Sequence, residues 1–172
     1  MKDKEINGIT FGSVGSGTTI DHLQVSYSND DSYEWFGGSV NCKYLVAYNG
    51  WDDEFDTDNG FSGKYNMACL SAIRELPIHH NQTDLNRTTV PMVLLVSPYT
   101  TAVFSNITFI GPLGRDAGFT NDESYINAGS FNPNNRFSLG KFQSAMQIRR
   151  SSRLNCFNSV AVGYPVGLII DG

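Results

Sequence analysis

Apolar and polar residues alternate with a period of two along several short stretches of the chain. In the stretch 20–25 the apolar positions are Ile20, Leu23 and Val25, and the stretch 42–47 repeats that spacing. The step from Ile20 to Leu23 interrupts strict alternation, as a bend or bulge within a strand does. Alternation of this kind, without any long helical periodicity, predicts β-strands that bury one face.

The strand-like stretches recur at a fixed distance. When residues 20–38 are written above residues 42–60, apolar, acidic and glycine positions coincide at a constant step of about 22 residues, which is within the range typical of solenoid repeats. The coincident pairs are Leu23 with Leu45, Val25 with Ala47, Asp30–Asp31 with Asp52–Asp53, Glu34 with Asp56 and Gly38 with Gly60. The same step predicts Leu45 over Met67, Ala47 over Cys69 and, near the other end, residues 145–148 over residues 167–170.

A repeat of this length predicts a solenoid in which successive coils pair in parallel and equivalent residues stack about 4.8 Å apart. A propeller blade would need a period of about 40 residues or more. The predicted fold class is all-β: a right-handed, single-stranded parallel β-helix with about 22 residues per coil. We expect one domain over residues 1–172, as a segment of a longer solenoid. Inserted loops are predicted where the repeat breaks, at about 74–101 and 112–141.

Four blocks of the sequence carry a family likeness: Gly8–Ile20, Asp30–Gly38, Gly50–Gly63 and Val103–Pro112. They resemble blocks of exported β-helix proteins of Gram-negative gut-type bacteria, which share a pectin-lyase-like solenoid and are mostly of unknown function. The resemblance implies an extracytoplasmic location, whether secreted, periplasmic or on the outer-membrane surface as a lipoprotein. It also implies further coils and an export signal upstream, and it assigns no activity to named residues.

Charge and composition restrict the possible partners. Seventeen acidic residues against 12 basic ones give a net charge of -5, and an acidic chain repels the phosphate backbones of nucleic acids. No apolar run approaches the roughly 20 residues of a membrane helix, so no transmembrane segment is expected. The three cysteines, Cys42, Cys69 and Cys156, lie in apolar runs and are predicted to be buried thiols.

The repeat also stacks acidic residues on acidic residues. At an effective dielectric of about 20, two carboxylates about 5 Å apart repel by about 3 kcal/mol. Such a stack therefore needs compensation from a hard cation such as Ca²⁺, from protons held at raised pKa values, or from hydrogen bonds to turn N–H groups, Arg or Lys. The predicted metal ligands are Asp30, Glu34, Asp52, Asp56 and Asp58.

Aromatic residues are interleaved with the acidic ones. Trp35 and Trp51 are the rings predicted to face outwards, and with Asp31 and Asp53 they form the predicted ligand-binding set. Exposed rings beside carboxylates can hold sugars by stacking and by hydrogen bonding.

Catalysis by these residues is an alternative. Carboxylate pairs can hydrolyse glycosides, although a ladder of equivalent carboxylates gives no reason for their pKa values to differ. Calcium-assisted β-elimination would need a nearby base, and Lys43 or Lys64 could serve.

These observations favour a non-catalytic, extracytoplasmic β-helix that recognises a polysaccharide or a partner surface, with or without a structural cation. Two alternatives stay open. One is a polysaccharide lyase or glycoside hydrolase on the same fold, and the other is a structural stalk or adhesin segment.

Overall fold

A computed structural model of the chain describes residues 6–50, 52–71, 99–114, 117, 144–149, 152–164 and 166–171. The strands are β1 (Ile9–Gly12), β2 (Thr19–Asp21), β3 (Gln24–Ser26), β4 (Tyr33–Phe36), β5 (Asn41–Tyr48), β6 (Phe55–Asp58), β7 (Lys64–Ser71), β8 (Val103–Ile110), β9 (Ser144–Arg149), β10 (Asn155–Phe157), β11 (Val160–Val162) and β12 (Val166–Asp171). A short 3₁₀ turn, Pro112–Gly114, is the single helical element of these ranges, and none of their helices could span a membrane. The predicted loops at about 74–101 and 112–141 fall mostly outside the described residues, as does Trp51.

The strands form three sheets in which every observed pairing is parallel. The orders are β1-β4-β6 in a three-stranded sheet, β10-β8-β7-β5-β2 in a seven-stranded sheet where β3 also pairs with β5 and β11 with β8, and β12-β9 in a two-stranded sheet. Apart from β7 and β8, paired strands are not consecutive in the chain, and every parallel pair needs a crossover connection. The all-β class and the parallel pairing are confirmed, whereas the handedness stays a prediction.

The register of the sheets reflects the sequence repeat. Val25 pairs with Ala47, Glu34 with Asp56 and Leu168 with Met146, and each pair is separated by the step that the sequence predicts.

The step between β5 and β7 is one residue longer than the repeat, and here the prediction is wrong. Leu45 pairs with Ala68 rather than Met67, and Ala47 with Leu70 rather than Cys69. Phe36 still pairs with Asp58, but Cys42 pairs with Tyr65, so the segment after Asp58 is one residue longer than its counterpart. That extra residue shifts the register without moving the inward positions to the outer face.

The interior of the three-stranded sheet is a stack of aromatic rings. Tyr33 and Phe55 pair in register with centroids 5.2 Å apart, and Trp35 stacks on Phe11 at 5.1 Å. Trp35 is 0% exposed, so the prediction that this ring faces outwards is wrong. The physical reason is parity, because Glu34 occupies the outer face and adjacent residues of a strand point to opposite faces.

The chain bends at corners that are occupied by residues in the left-handed conformation. One corner stacks Ser13, Gly37 and Asn59, with φ angles of 51°, 66° and 52°. Another begins with His22 at 52° and Tyr44 at 55°, and His22 separates β2 from β3, which confirms the bend predicted between Ile20 and Leu23. Asparagine tolerates this conformation better than most residues, and Asn106 and Asn158 continue the second corner.

Candidate functional site

The outer face of the three-stranded sheet carries a row of polar side chains. Thr10, Glu34 and Asp56 pair in register across β1, β4 and β6. The side-chain amide of Asn7 donates hydrogen bonds to Glu34 and to Thr10. The row therefore stands on the face opposite the aromatic stack, where alternation along each strand places it.

Five carboxylates converge at the start of β4 and β6, and we refer to them as the acidic cluster: Asp30, Asp31, Glu34, Asp52 and Asp56. They form two overlapping groups, Asp30 with Asp31 and Asp52, and Asp31 with Glu34 and Asp56. Within each group, one carboxylate oxygen per residue lies within 4.8 Å of the others.

The acidic cluster brings together four of the five predicted metal ligands. Asp31, predicted as a ligand-binding residue, lies at its centre because it belongs to both groups. Asp53 and Asp58 are buried and belong to neither group.

Asp31 is one of the two buried members of the cluster. It is 7% exposed and Asp56 is 3% exposed, whereas Asp30, Glu34 and Asp52 are half-buried. Burial raises the pKa of Asp31 well above its ordinary value, and the negative charges of Asp52, Asp30 and Glu34 raise it further. A hydrogen bond of 2.9 Å, donated by the backbone N–H of Asp53, opposes that shift. Glu34 is half-buried whereas Asp56, its partner in the register, is buried, so these two stacked carboxylates are not equivalent, contrary to the expectation from the repeat.

The acidic cluster is the part of the described chain whose carboxylates could hold a cation. Two oxygens on opposite sides of a Ca²⁺ ion, each about 2.4 Å from it, lie about 4.8 Å apart. Each three-carboxylate group therefore fits inside one coordination sphere. The same geometry suits proton sharing, since a protonated carboxyl can donate to an ionised neighbour.

The two lysines considered as bases lie on the other sheet. Lys43 is in β5, where its Nζ atom is 3.8 Å from Oδ2 of Asp21 and 5.5 Å from the centre of the Tyr44 ring. Lys64 begins β7 of the same seven-stranded sheet. The structure thus brings neither lysine onto the sheet that bears the acidic cluster.

A second candidate site is a group of rings on the outer face of the seven-stranded sheet, which we call the aromatic patch: His22, Tyr27, Tyr44 and Tyr48. His22 stacks on Tyr44 with ring centres 4.5 Å apart, and Tyr27 meets Tyr48 edge to face at 5.6 Å. Tyr27 is 55% exposed and Tyr44 39%.

Polar groups surround the aromatic patch. Asp21 lies 3.1 Å from Nδ1 of His22, and the Gln24 amide donates to Oγ of Ser26 at 2.9 Å between the two ring pairs. The patch therefore combines exposed ring surface with charged and neutral hydrogen-bonding groups.

Sequence reasoning missed the aromatic patch, although a signal for it was present. His22 and Tyr44 are separated by one full repeat, and each immediately precedes an inward leucine, Leu23 or Leu45. The residue before an inward position faces outwards, so the repeat itself places these two rings side by side on the surface.

The family model of a pectate-lyase-like β-helix domain matches residues 1–171. No curated protein and no solved structure matches the chain. The match spans both candidate sites and all three sheets.

Proposed function

We propose that this chain, which belongs to the family of pectate-lyase-like β-helix domains, is an extracellular, non-catalytic protein that recognises polysaccharides through its aromatic patch. Domains of this family are usually extracellular, which supports the location. The observation that carries the proposal is the pairing of rings on one sheet, His22 on Tyr44 and Tyr27 against Tyr48, in which all but the half-buried Tyr48 are exposed.

The chemistry of a sugar ring fits this surface. A pyranose presents an apolar C–H face that stacks on an aromatic ring, and its hydroxyl groups need donors and acceptors at the edge. The rings of Tyr27 and Tyr44 supply the stacking surface, and Asp21, Lys43 and Gln24 supply the donors and acceptors. Tyrosine side chains provide large contact areas at a low cost in conformational entropy, which suits a recognition surface.

Polysaccharide binding by the purified chain tests the proposal. Isothermal titration with neutral xylan, cationic chitosan and anionic pectin should show binding, with pectin the weakest because the chain carries a net charge of -5. Tyr44→Ala and Tyr27→Ala should each weaken binding by about 0.5–1.5 kcal/mol, the value of a ring contact. Tyr44→Phe keeps the ring and should bind nearly as the native chain does.

Failure of all three polysaccharides to bind the native chain would refute the proposal and favour a structural stalk. Equal loss of binding in Tyr44→Phe and Tyr44→Ala would assign the effect to the hydroxyl group rather than to ring stacking.

A specific observation supports a second candidate function, glycoside hydrolysis at the acidic cluster. A carboxyl with a raised pKa beside ionised carboxylates is the arrangement that general acid catalysis of hydrolysis uses. Asp31 meets that description, with Asp52 and Glu34 as its neighbours. Release of reducing sugars that disappears in Asp31→Asn would establish hydrolysis, and release of unsaturated uronates would indicate a lyase instead.

We also propose that the acidic cluster binds Ca²⁺ as a structural ion. The support is geometric, because each group of three carboxylate oxygens fits one calcium coordination sphere. Since Ca²⁺ and a proton compete for Asp31, the affinity should rise with pH. Calorimetric titration should show binding that Asp31→Asn weakens, and a chelator should lower the melting temperature. If neither a heat of Ca²⁺ binding nor an effect of chelator is observed, the calcium proposal is refuted, and a bound proton is what reduces the repulsion among the carboxylates.

A further inference from the structure

Three of the four rings in the aromatic patch lie where the backbone is left-handed. The φ angles are 52° at His22, 57° at Tyr27 and 55° at Tyr44. This conformation is uncommon for tyrosine, and asparagine occupies the equivalent corners of other coils, at Asn49 and Asn106. The backbone therefore does not require rings at these corners, and their presence points to a role at the surface.

The patch faces water because the corner points outwards, not because the sheet has an edge there. Tyr44 belongs to β5, which pairs with β2 on one side and with β7 on the other. With a coil on each side, the Tyr44 ring is still 39% exposed. His22 stacks on this ring and shares its outward direction.

Asp21 orients the imidazole ring of His22. Its Oδ1 atom lies 3.1 Å from Nδ1 of His22, and its Oδ2 atom lies 3.8 Å from Nζ of Lys43. An ionised carboxylate only accepts hydrogen bonds, so Nδ1 is the ring nitrogen that carries the hydrogen. Nε2 of the neutral ring is then an acceptor, and a ligand can reach it because the His22 side chain is 71% exposed.

The charge of this part of the patch depends on His22. Among the described residues, the charged and titratable groups that face it are Asp21, which precedes it in the chain, and Lys43 and Tyr44 from β5, the strand that pairs with β2. While the imidazole is neutral, the charges of Asp21 and Lys43 cancel. Histidine ordinarily changes charge between about pH 5 and pH 8, and a proton on Nε2 leaves one net positive charge beside the Tyr44 ring.

We propose that His22 determines which class of polysaccharide the aromatic patch binds, an inference that rests on the function proposed above. With a neutral imidazole the patch takes uncharged sugars, which stack on Tyr44 and donate a hydroxyl hydrogen to Nε2. With a protonated imidazole it takes sugars that carry anionic groups, because the positive charge attracts the anion and the N–H donates to it. The preference therefore shifts from neutral to anionic glycans as the pH falls.

Calorimetric titration with xylo-oligosaccharide and with its sulfated form tests the proposal, since the two probes share one backbone and differ in charge. Sulfate groups stay ionised over the whole range, so a change between about pH 8 and about pH 5.5 arises from the protein. The affinity of the native chain for the sulfated probe should rise on acidification, whereas its affinity for the neutral probe should not rise.

His22→Asn is the matched control, because asparagine holds the equivalent left-handed corner at Asn106 and Asn158 and does not titrate. The variant keeps His79, His80 and all of the carboxylates, so any general effect of protein charge remains in it. On acidification, the gain in affinity for the sulfated probe should be about two- to fivefold larger in the native chain than in the variant, the range of an exposed ion pair. An equal gain in both proteins would overturn the proposal.

Nuclear magnetic resonance of the imidazole nitrogens gives a readout that needs no ligand. Neutral His22 should carry its hydrogen on Nδ1 in the native chain and on Nε2 in Asp21→Ala, where the usual preference of free imidazole returns. The midpoint of the His22 titration should coincide with the pH at which the native chain gains affinity for the sulfated probe. A hydrogen on Nε2 in the native chain, or a midpoint apart from the change in affinity, counts against the assigned role of His22.

Failure of this inference is distinguishable from failure of the proposed function. A native chain that binds neither probe at either pH would refute both. Binding of the neutral probe that Tyr44→Ala weakens, together with the same pH response in the native chain and in His22→Asn, would overturn the role of His22 alone.

Discussion

Replacement of Trp35 by alanine tests the assignment of the aromatic core. The indole ring is 0% exposed and has aromatic neighbours on several sides. The ring-centre distances from Trp35 are 4.8 Å to Tyr65, 5.1 Å to Phe11, 5.7 Å to Tyr33, 5.9 Å to Phe55 and 6.0 Å to Phe61. Trp35→Ala removes all of these contacts and leaves a cavity between the coils.

The magnitude follows from the burial and from the neighbours. Truncation of a fully buried tryptophan to alanine costs about 3–5 kcal/mol. Each aromatic pair adds about 0.5–1.5 kcal/mol beyond its buried area, and pairs that share one ring do not add fully. We therefore expect Trp35→Ala to lower the free energy of unfolding by about 4–5 kcal/mol, a large part of the roughly 5–15 kcal/mol typical of a domain.

Urea denaturation followed by far-ultraviolet circular dichroism measures this loss. The midpoint should fall while the slope stays constant, which indicates lost stability rather than a changed unfolded state. Tyr44→Ala is the matched control, since it truncates a ring that is exposed at the surface and stacks on His22, and it should lower the free energy of unfolding by no more than about 1.5 kcal/mol. A loss below about 1 kcal/mol for Trp35→Ala, no larger than that of the control, would refute the inward placement.

Three further predictions concern other parts of the chain. Because the pKa of Asp31 is raised in the folded chain, stability should fall as the pH rises from about 4 through the folded pKa. Asp31→Asn still accepts the hydrogen bond from the Asp53 N–H but does not titrate, so its melting temperature should lack the contribution of Asp31 to this fall. Gly38 has a φ of 90°, and a Cβ there would lie 2.6 Å from the Val14 carbonyl oxygen, so Gly38→Ala should lower the free energy of unfolding measured in urea by about 2–4 kcal/mol. Gly15→Ala is the control, because a Cβ at Gly15 meets no atom within 4 Å and should change the free energy little. Burial raises the pKa of the Cys42 thiol to about 12, so iodoacetamide at neutral pH should modify half-buried Cys156 before Cys42. Peptide mass spectrometry measures the two labelling rates, and equal labelling of both thiols would contradict the burial of Cys42.

The strands and much of their register were readable in the sequence because a solenoid repeats the same environment in each coil. Val25 over Ala47 and Glu34 over Asp56 follow from similar residue types at a constant step. The lengthening of that step by one residue after Asp58 could not be read, because a turn can absorb one residue without changing the apolar pattern. Register within a strand is set by which face is buried, whereas turn length is set by local backbone conformation.

The candidate sites were partly predictable for the same reason. The stacking of acidic residues placed the cluster, but the burial of Asp31 and Asp56 arises from packing around them, which residue types alone do not report. The orientation of Trp35 was predicted wrongly because an aromatic ring beside carboxylates suggested a sugar contact. Trp35 follows the outward Glu34 directly in the strand, and this adjacency places its ring on the inner face. The same alternation of inward and outward residues, applied to His22 before Leu23 and to Tyr44 before Leu45, locates the aromatic patch.

The left-handed corners also bear on how such a chain can change in length through evolution. Gly37 and Asn59 occupy equivalent corners, and the paired strands that precede them end in step. A gene duplication with its two breakpoints at these corners would add one whole coil, and every inward side chain would keep its orientation. An insertion of one residue inside a strand would instead exchange the core and surface positions of the rest of that strand, so viable length variants of this protein should differ by complete turns of the chain.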